Sequence, residues 1–378
     1  MFGSCKKDDD DNPSSDLIPP FEFEFGNSST DKGFSVKQTT DRGFIIVGQT
    51  FSSPNVNGDV YLLKVDLNGI EEWSQTFGNL YHDVGQSVEQ TNDGGYIICG
   101  GIDTNGIYFS GYLIKTDENG LEEWSKIFGG NGNFSFNSVE QTNDGGYILV
   151  GYNNSGNGDI NLVKTDGSGN ETWSKTFGGL GTEQGFSVKQ TNDGGYIITG
   201  ETNSFGNGSY DMYLIKTDSN GDSLWTRTFG GPSVDQSYSV QQTNDGGYIL
   251  TGVNYSIGNG DVYLVKTDNN GLEQWNKTLG GSGVEIGYSV EQTNDGGYVI
   301  CGSNYENSIT NMILIKTDGS GNEQWNKTHG DSISFDMGYS LEQTDDNGYV
   351  ITGWTGTDVS VNNNVYLIKT DENGDVNP

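Results

Sequence analysis

The stretch that decides the fold is GFSVKQTNDGGYIITGETNSFGNGSYDMYLIKTDSNGDSLWTRTFGG, which runs from residue 185 to residue 231. It contains four short strand-like segments, separated by the turn at 192–195, a longer polar loop and the turn at 219–221. Both turns consist of Asn, Asp, Ser and Gly, and tight hairpins need residues that tolerate positive φ. The stretch therefore predicts four antiparallel strands, numbered first to fourth from the centre of the fold outward.

This unit recurs along the whole chain, and a Gly-(Tyr/Phe)-(Ile/Val) phrase marks its second strand at intervals of about fifty residues. The second and third strands are apolar on both alternating faces, so neighbouring sheets must cover both sides. We therefore predict an all-β fold, a seven-bladed β-propeller of four-stranded antiparallel blades. The seven marker residues are Phe44, Tyr96, Tyr147, Tyr196, Tyr248, Tyr298 and Tyr349.

The fourth strand ends in Trp-x-x-x-Phe-Gly-Gly or a close variant in six copies, whereas the seventh copy breaks off near Pro378. At the other end, the segment Phe21–Phe25 aligns with the strand that begins at Trp73, with Phe21 at the tryptophan position. We therefore predict that Phe21–Phe25 completes the last blade and closes the ring, which leaves no open strand edge. Residues 21–378 are then the propeller, and residues 1–20 are a lipoprotein-like N-terminus and a disordered acidic tether.

The repeat resembles known propellers. The phrase Asp-x-Asn-Gly-x-x-x-Trp, as in Asp117–Trp124, is similar to the tryptophan-docking repeat of the pyrroloquinoline-quinone-type propeller superfamily, although the turn is one residue shorter. The Thr-Asn-Asp-Gly-Gly-Tyr-Ile and Leu-Ile-Lys-Thr-Asp phrases resemble secreted bacterial and archaeal propellers. The resemblance covers residues 21–378 and implies a fold and not an activity, because propellers include both enzymes and scaffolds.

The first residues resemble a second family. Small residues precede Cys5, and Lys6–Asp11 resembles the export tail of Bacteroidota-type lipoproteins. That resemblance implies a lipid on Cys5 and a place in the bacterial cell envelope, as an outer-membrane lipoprotein or an extracellular protein. No run of about 18 apolar residues is present, so we expect membrane contact only through that lipid.

Composition limits the partners. The formal charge of −34 should repel phosphate backbones, so we predict no nucleic-acid binding. Cys99 and Cys301 occupy the same position in two repeats, which argues against a local disulfide. We predict no cofactor. Calcium stays an open alternative, because the Asn-Gly-Asp phrases ending at Asp59, Asp159 and Asp261 share the composition of calcium loops, although hairpin geometry also explains them.

The sequence contains no nucleophile elbow, zinc helix or Walker loop, so we predict no catalytic or metal-binding residues. Most acidic residues recur from blade to blade, which favours a structural role. The Lys before each third-strand Thr-Asp recurs in every copy, and we expect it to pair with a recurring acid. Its copies are Lys64, Lys115, Lys164, Lys216, Lys266, Lys316 and Lys369.

In such a blade, the turns between the first and second and between the third and fourth strands lie on one face, here named the constant face. The other connections form the opposite face, here named the variable face, and they differ between blades. Aromatic residues there suit sugar or protein recognition. The predicted ligand-binding residues are Tyr81, His82, Tyr108, Phe109, Phe134, Phe136, Tyr305, Phe335 and Trp354.

These observations favour a monomeric, non-catalytic surface protein that binds a polysaccharide or a protein partner through the variable face. The first alternative is an extracellular, glycan-active hydrolase or lyase with its site at the mouth of the central channel. The second alternative is a spacer or adhesive module.

Overall fold

The computed structural model describes residues 17–26, 29–51, 57–129, 134–153, 158–330, 333–357 and 362–376. The predicted lipid attachment at Cys5 and most of the predicted tether lie outside these residues. All regular secondary structure in the described part is β-strand, in 28 strands. No helix there is long and apolar enough to cross a membrane.

The chain begins with β1 (Phe21–Phe25) and then forms one four-stranded sheet after another. Blade 1 consists of β2 (Asp31–Gln38), β3 (Phe44–Thr50), β4 (Asp59–Val65) and β5 (Glu71–Phe77). Blade 2 consists of β6 (Asp83–Gln90), β7 (Tyr96–Asp103), β8 (Phe109–Thr116) and β9 (Glu122–Phe128). Blade 3 consists of β10 (Phe134–Gln141), β11 (Tyr147–Asn153), β12 (Asp159–Thr165) and β13 (Glu171–Phe177).

The remaining blades repeat this order. Blade 4 consists of β14 (Glu183–Gln190), β15 (Tyr196–Thr202), β16 (Asp211–Thr217) and β17 (Ser223–Phe229). Blade 5 consists of β18 (Asp235–Gln242), β19 (Tyr248–Asn254), β20 (Asp261–Thr267) and β21 (Glu273–Leu279). Blade 6 consists of β22 (Val284–Gln292), β23 (Tyr298–Glu306), β24 (Ile309–Thr317) and β25 (Glu323–His329). Blade 7 contains β26 (Phe335–Gln343), β27 (Tyr349–Gly356) and β28 (Asn363–Thr370).

An N-terminal strand pairs with the last strand of blade 7. Strand β1 pairs antiparallel with β28 along its whole length, and Phe21 lies opposite Lys369. Trp73 lies opposite Lys64 in the same way in blade 1. Phe21 therefore stands where six other blades have a tryptophan. Separately, a parallel bridge between Thr310 and Phe335 links blades 6 and 7.

The apolar core is divided into seven clusters, each lying between two neighbouring sheets. In six of them a fourth-strand tryptophan packs against the second-strand tyrosine of the next blade, as Trp73 does on Tyr96 at 5.8 Å between ring centroids. Phe21 and Phe44 form the seventh pair, at 5.9 Å. Burial of both sheet faces explains the continuously apolar second and third strands.

The tryptophan also contacts the third-to-fourth turn of the next blade. A β-carbon built at Gly120 would lie 2.4 Å from Cζ3 of Trp73, and the φ of Gly120 is +76°. Only glycine adopts this positive φ without strain and also leaves room for the indole ring. This contact explains why an Asn-Gly or similar pair precedes each tryptophan by a fixed number of residues.

The recurring lysines are buried, and each forms an ion pair with the aspartate of the first-to-second turn, as predicted. Lys216 is a representative case: its Nζ lies 3.0 Å from Asp193 and donates to the Thr217 carbonyl at 2.8 Å. Across the seven copies the ion-pair distances span 2.9–3.1 Å. These lysines therefore tie the constant face together and are not exposed to an anionic ligand.

Candidate binding face and channel mouth

The structure brings four of the predicted site residues together on the variable face, at the junction of blades 1 and 2. Tyr81 and Tyr108 are about 40% exposed, at 39% and 41%, and Tyr81 packs on Gly106 of the neighbouring loop. The His82 ring lies between Phe51 and Phe109, with centroid distances of 5.8 and 5.4 Å. These side chains form one patch with the exposed Leu80 and Ile107.

His82 is half-buried beneath this patch. Its Nε2 lies 2.5 Å from Nε2 of Gln49, and burial lowers the pKa of the imidazole despite the nearby charge of Asp103. A histidine in such surroundings is held in its neutral form at pH 7. It therefore supports the aromatic patch and does not supply a positive charge to it.

Three predicted site residues lie in the core. Phe134 and Phe136 are 5% and 0% exposed and pack edge to face with centroids 4.8 Å apart, next to Gly111, whose missing side chain leaves them room. Trp354 is 4% exposed and lies under Lys32, whose Nζ is 4.6 Å from the indole centroid. Their burial removes all three side chains from the surface that a ligand on the variable face could contact.

The last two predicted residues lie apart from the blade 1–2 patch. Tyr305 is 49% exposed at the end of β23, and Phe335 is half-buried at the start of β26. The variable face also carries exposed apolar side chains that the sequence analysis did not single out, namely Leu180, Phe205, Tyr255, Ile257 and Ile333. Exposure in loops of this kind depends on loop conformation, and no sequence signal marked these five.

The mouth of the central channel on this face is a second candidate site. Each first strand has a β-bulge immediately before a serine, and the bulged residue turns its side chain into the channel. In five consecutive blades this residue is aromatic, and we call the set Phe186, Tyr238, Tyr288, Tyr339 and Phe34 the aromatic arc. Blades 2 and 3 have Gln86 and Asn137 instead.

The arc is continuous, with centroid distances of 5.0–5.5 Å between successive rings. Together with Gln86, Asn137, Tyr152 and Gln184 it lines a cavity of about 390 Å³. A second cavity of about 180 Å³ continues inward and is lined by serines, Lys37, Lys189 and Glu291. The channel mouth thus offers aromatic surface beside three side-chain amides.

Deeper in the channel, the seven first strands contribute a ring that we call the charged ring, made up of Lys37, Glu89, Glu140, Lys189, Gln241, Glu291 and Glu342. Its acidic members accept hydrogen bonds from the backbone of the next blade, as Glu291 does from the Gln343 amide at 2.7 Å. Lys189 reaches Glu89 at 3.2 Å. Burial, with the charge of Glu342 adding to it, raises the pKa of Glu291 to about 7 against the opposing effect of Lys37.

Buried carboxylates also recur where neighbouring blades meet on the variable face. Asp83 accepts from the backbone amides of Asn79 and Asp103 at 2.6 and 3.0 Å, and a β-carbon built at Gly78 would approach both Asp83 and Asp59. Burial, with the charges of Asp59 and Asp103, raises the pKa of Asp83 to about 6. In the described residues no group of three or more His, Cys, Asp or Glu side chains could hold a metal ion.

No family model matches this sequence, and no curated protein matches it. Solved structures resemble its fold. The WD40 domain of Pan2 from Neurospora crassa is 9% identical with a TM-score of 0.57, and 91% of each chain is covered. Sqt1 from Chaetomium thermophilum, bound to the N-terminus of ribosomal protein L10, is 12% identical with a TM-score of 0.51, covering 88% of this chain and 84% of Sqt1.

A third similar structure is BBS1N in complex with ARL6DN, at 9% identity and a TM-score of 0.50, covering 90% of this chain and 96% of that one. At these identities the likeness concerns the fold alone. The chain is an all-β protein of the β-propeller type, with 28 strands that fit seven blades.

Proposed function

We propose that this protein is a non-catalytic binding propeller that holds a protein partner on its variable face. The observation that carries the proposal is the concentration of exposed apolar side chains there. Ten of the described residues contribute: Leu80, Tyr81, Ile107, Tyr108, Leu180, Phe205, Tyr255, Ile257, Tyr305 and Ile333. Apolar surface that differs from blade to blade is not required by the repeat and suits a specific interface.

A protein partner fits this surface better than a polysaccharide. Five of the ten side chains are aliphatic, and Leu180 and Ile333 are 95% and 75% exposed. Aliphatic groups contribute to protein interfaces through apolar burial, whereas sugar recognition relies on aromatic faces and polar groups. Two of the structurally similar propellers are bound to proteins in their crystals, Sqt1 to the L10 N-terminus and BBS1N to ARL6DN.

The test compares a variable-face variant with a matched constant-face variant. Tyr81→Ala/Tyr108→Ala/Leu180→Ala removes apolar groups from the variable face, and Ile70→Ala/Leu121→Ala/Leu272→Ala removes exposed apolar groups from one repeated turn position. We expect affinity capture to recover a protein with the wild type and the constant-face variant but not with the variable-face variant. Selective glycan-array binding lost in the variable-face variant would replace the protein partner with a polysaccharide. Equal capture by all three proteins would refute a role for the variable face.

We also propose that β1 closes the ring and that the protein is a monomer with tryptophan-docking blades. The full-length pairing of β1 with β28 and the packing of Phe21 on Phe44 support this role. The contacts of Trp73 with Gly120, and of Phe21 and Phe23 with Gly69, support the docking relationship. Light scattering on the purified chain tests the monomer, since a stable dimer would contradict it.

Finally, we propose that a lipid on Cys5 anchors the propeller at the bacterial cell surface. The proposal rests on the sequence around Cys5 and on the length of chain between it and β1. Expression behind a lipoprotein signal peptide, with an alkyne fatty acid in the medium, should label the wild type but not Cys5→Ser. Equal labelling of both proteins, or of neither, would contradict the anchor.

A further inference from the structure

The channel mouth suggests a second, smaller ligand that is separate from the partner on the variable face. Its cavity of about 390 Å³ falls in the range of small-molecule sites. The aromatic arc contributes one lining residue from each of five of the seven blades. The arc is set by bulges in the first strands and not by core packing. Its asymmetry is informative, because a purely structural plug would be expected to repeat in all seven blades.

The arc presents ring surface more than polar groups. The Tyr238 hydroxyl donates to Oε1 of Gln236 at 3.0 Å, and the Tyr339 hydroxyl accepts from Nε1 of Trp354 at 3.4 Å. These phenol groups are already engaged, and burial raises the pKa of both tyrosines, so neither provides a negative charge. The cavity therefore offers a ligand the surface of tilted aromatic rings, whose faces are electron-rich.

The charged ring behind the arc carries a net negative charge when its acids are ionised, which for Glu291 requires a pH above its pKa of about 7. The charged ring contains four glutamates and two lysines, and Glu201 is a further buried acid close to the mouth, where it accepts from Gln236. In a partly desolvated channel such an excess acts on a ligand more strongly than the same charges in water. Lys32 already places its amino group 4.6 Å from the centroid of Trp354, next to Tyr339, which is cation–π geometry, although burial lowers the pKa of Lys32.

We propose that the channel mouth binds an organic cation, an ammonium or guanidinium group held against the aromatic arc. Aromatic faces and the acids of the charged ring both favour a positive charge, and a cavity of about 390 Å³ has the volume of a small-molecule site. A free amine or a lysine or arginine side chain of the bound partner would supply the same group. The site does not depend on the proposed partner, because a small cation can enter the mouth on its own.

Titration calorimetry with choline tests the charge requirement directly, because 3,3-dimethylbutan-1-ol has the same shape without the charge. We expect choline to bind at least about tenfold more tightly, in keeping with the cation–π energies of a desolvated site. Tyr288→Leu should weaken choline binding by about tenfold while leaving the alcohol unaffected, whereas Tyr288→Phe should keep it within about threefold. Equal affinity for the two probes, or no choline binding at millimolar concentration, would overturn the proposal.

Two further variants separate the possible sources of the cation. At pH 8, above the pKa of about 7 of Glu291, Glu291→Gln should weaken choline binding and reduce its salt dependence, whereas Tyr108→Ala, outside the channel, should leave it unchanged. A peptide with a central lysine flanked by leucines should bind more tightly than choline if the cation belongs to a partner, and Tyr108→Ala should weaken only the peptide. A wild-type protein that binds choline but not the peptide would refute the partner's side chain as the source and leave the small-cation site intact.

Discussion

The constant and variable faces of this propeller are built from the same seven repeats, yet they use their residues differently. On the constant face, each blade repeats one buried lysine, one paired aspartate and one turn glycine, as at Lys216, Asp193 and Gly221. On the variable face, the equivalent connections carry different side chains in each blade, and several are large, apolar and exposed. The comparison teaches that repetition marks the scaffold, whereas departure from the repeat marks the surface available for binding.

The largest expected effect on stability comes from removing β1, the N-terminal strand that pairs with β28. Deletion of residues 1–25 removes β1, exposes the edge of β28 and takes Phe21 from the core, so we expect a loss of more than about 3 kcal/mol and aggregation. Deletion of residues 1–16 is the control and should leave the unfolding midpoint unchanged. Thermal unfolding of both proteins checks this, and equal stability would contradict a structural role for β1.

The next largest effect on stability should distinguish the buried phenylalanines near the variable face from the exposed aromatic residues on it. Phe136→Ala should lower the free energy of unfolding by about 3–5 kcal/mol, because Phe136 is fully buried. Tyr108→Ala, which removes a 41% exposed side chain, should change it by less than about 0.5 kcal/mol. Urea unfolding measures both, and similar losses in the two variants would refute the assignment of Phe136 to the core.

A moderate loss of folding stability is expected from a substitution on the constant face. Asp193→Ala leaves the buried Lys216 ammonium with fewer partners, so we expect a loss of about 1–3 kcal/mol. The exposed Asp222, whose carboxylate pairs with the half-buried Lys175, provides the control, since Asp222→Ala removes a surface ion pair worth under about 1 kcal/mol. Equal losses would show that the repeated lysine pair does not stabilise the scaffold more than an ordinary surface pair.

The two faces should also respond oppositely to pH. The pKa of Asp83 is raised to about 6 in the folded protein, above its value of about 4 in an unfolded chain. The folded state therefore binds this proton more tightly, and the contribution to stability falls as pH rises through about 6. Asp83→Asn should raise the free energy of unfolding at pH 8 but not at pH 4.

Asp144 on the constant face provides the opposite case. Burial alone would raise its pKa, but hydrogen bonds from Thr142, Gly146 and Lys164 lower it to about 2. Its contribution is present above about pH 4 and is lost as pH falls toward 2, so Asp144→Asn should destabilise the protein at neutral pH. Urea unfolding of Asp83→Asn and Asp144→Asn across pH measures both effects. If both substitutions changed the free energy of unfolding in the same direction at neutral to alkaline pH, the predicted difference between the two faces would be contradicted.

Much of the scaffold could be predicted from the sequence because the physical demands repeat. The second-strand phrase, the turn residues and the buried lysine recur at a fixed spacing, and Phe21 could be aligned with the tryptophan position. The variable face was harder to predict. Phe134, Phe136 and Trp354 look like surface aromatics in sequence, but a neighbouring glycine or a covering lysine places each of them in the core.

The aromatic arc was missed for a related reason. The residue before each first-strand Ser-Val or Ser-Leu changes between aromatic and amide while the serine after it stays constant, which is the one signal that could have revealed the arc. The alternation of side chains along a strand does not predict the direction of the residue before the serine, because a β-bulge at that position redirects its side chain into the channel. Bulges of this kind are set by the pairing of two strands and are not visible in one strand alone.

The proposed partner binding belongs to the variable face. Site-specific photo-crosslinking tests it most directly, with a benzophenone amino acid placed at Tyr108 on the variable face and, separately, at Leu121 on the constant face, both exposed. We predict a crosslinked partner from position 108 and none from position 121 in the producing cell. Crosslinking from position 121 alone would contradict the claim and move the binding surface to the constant face.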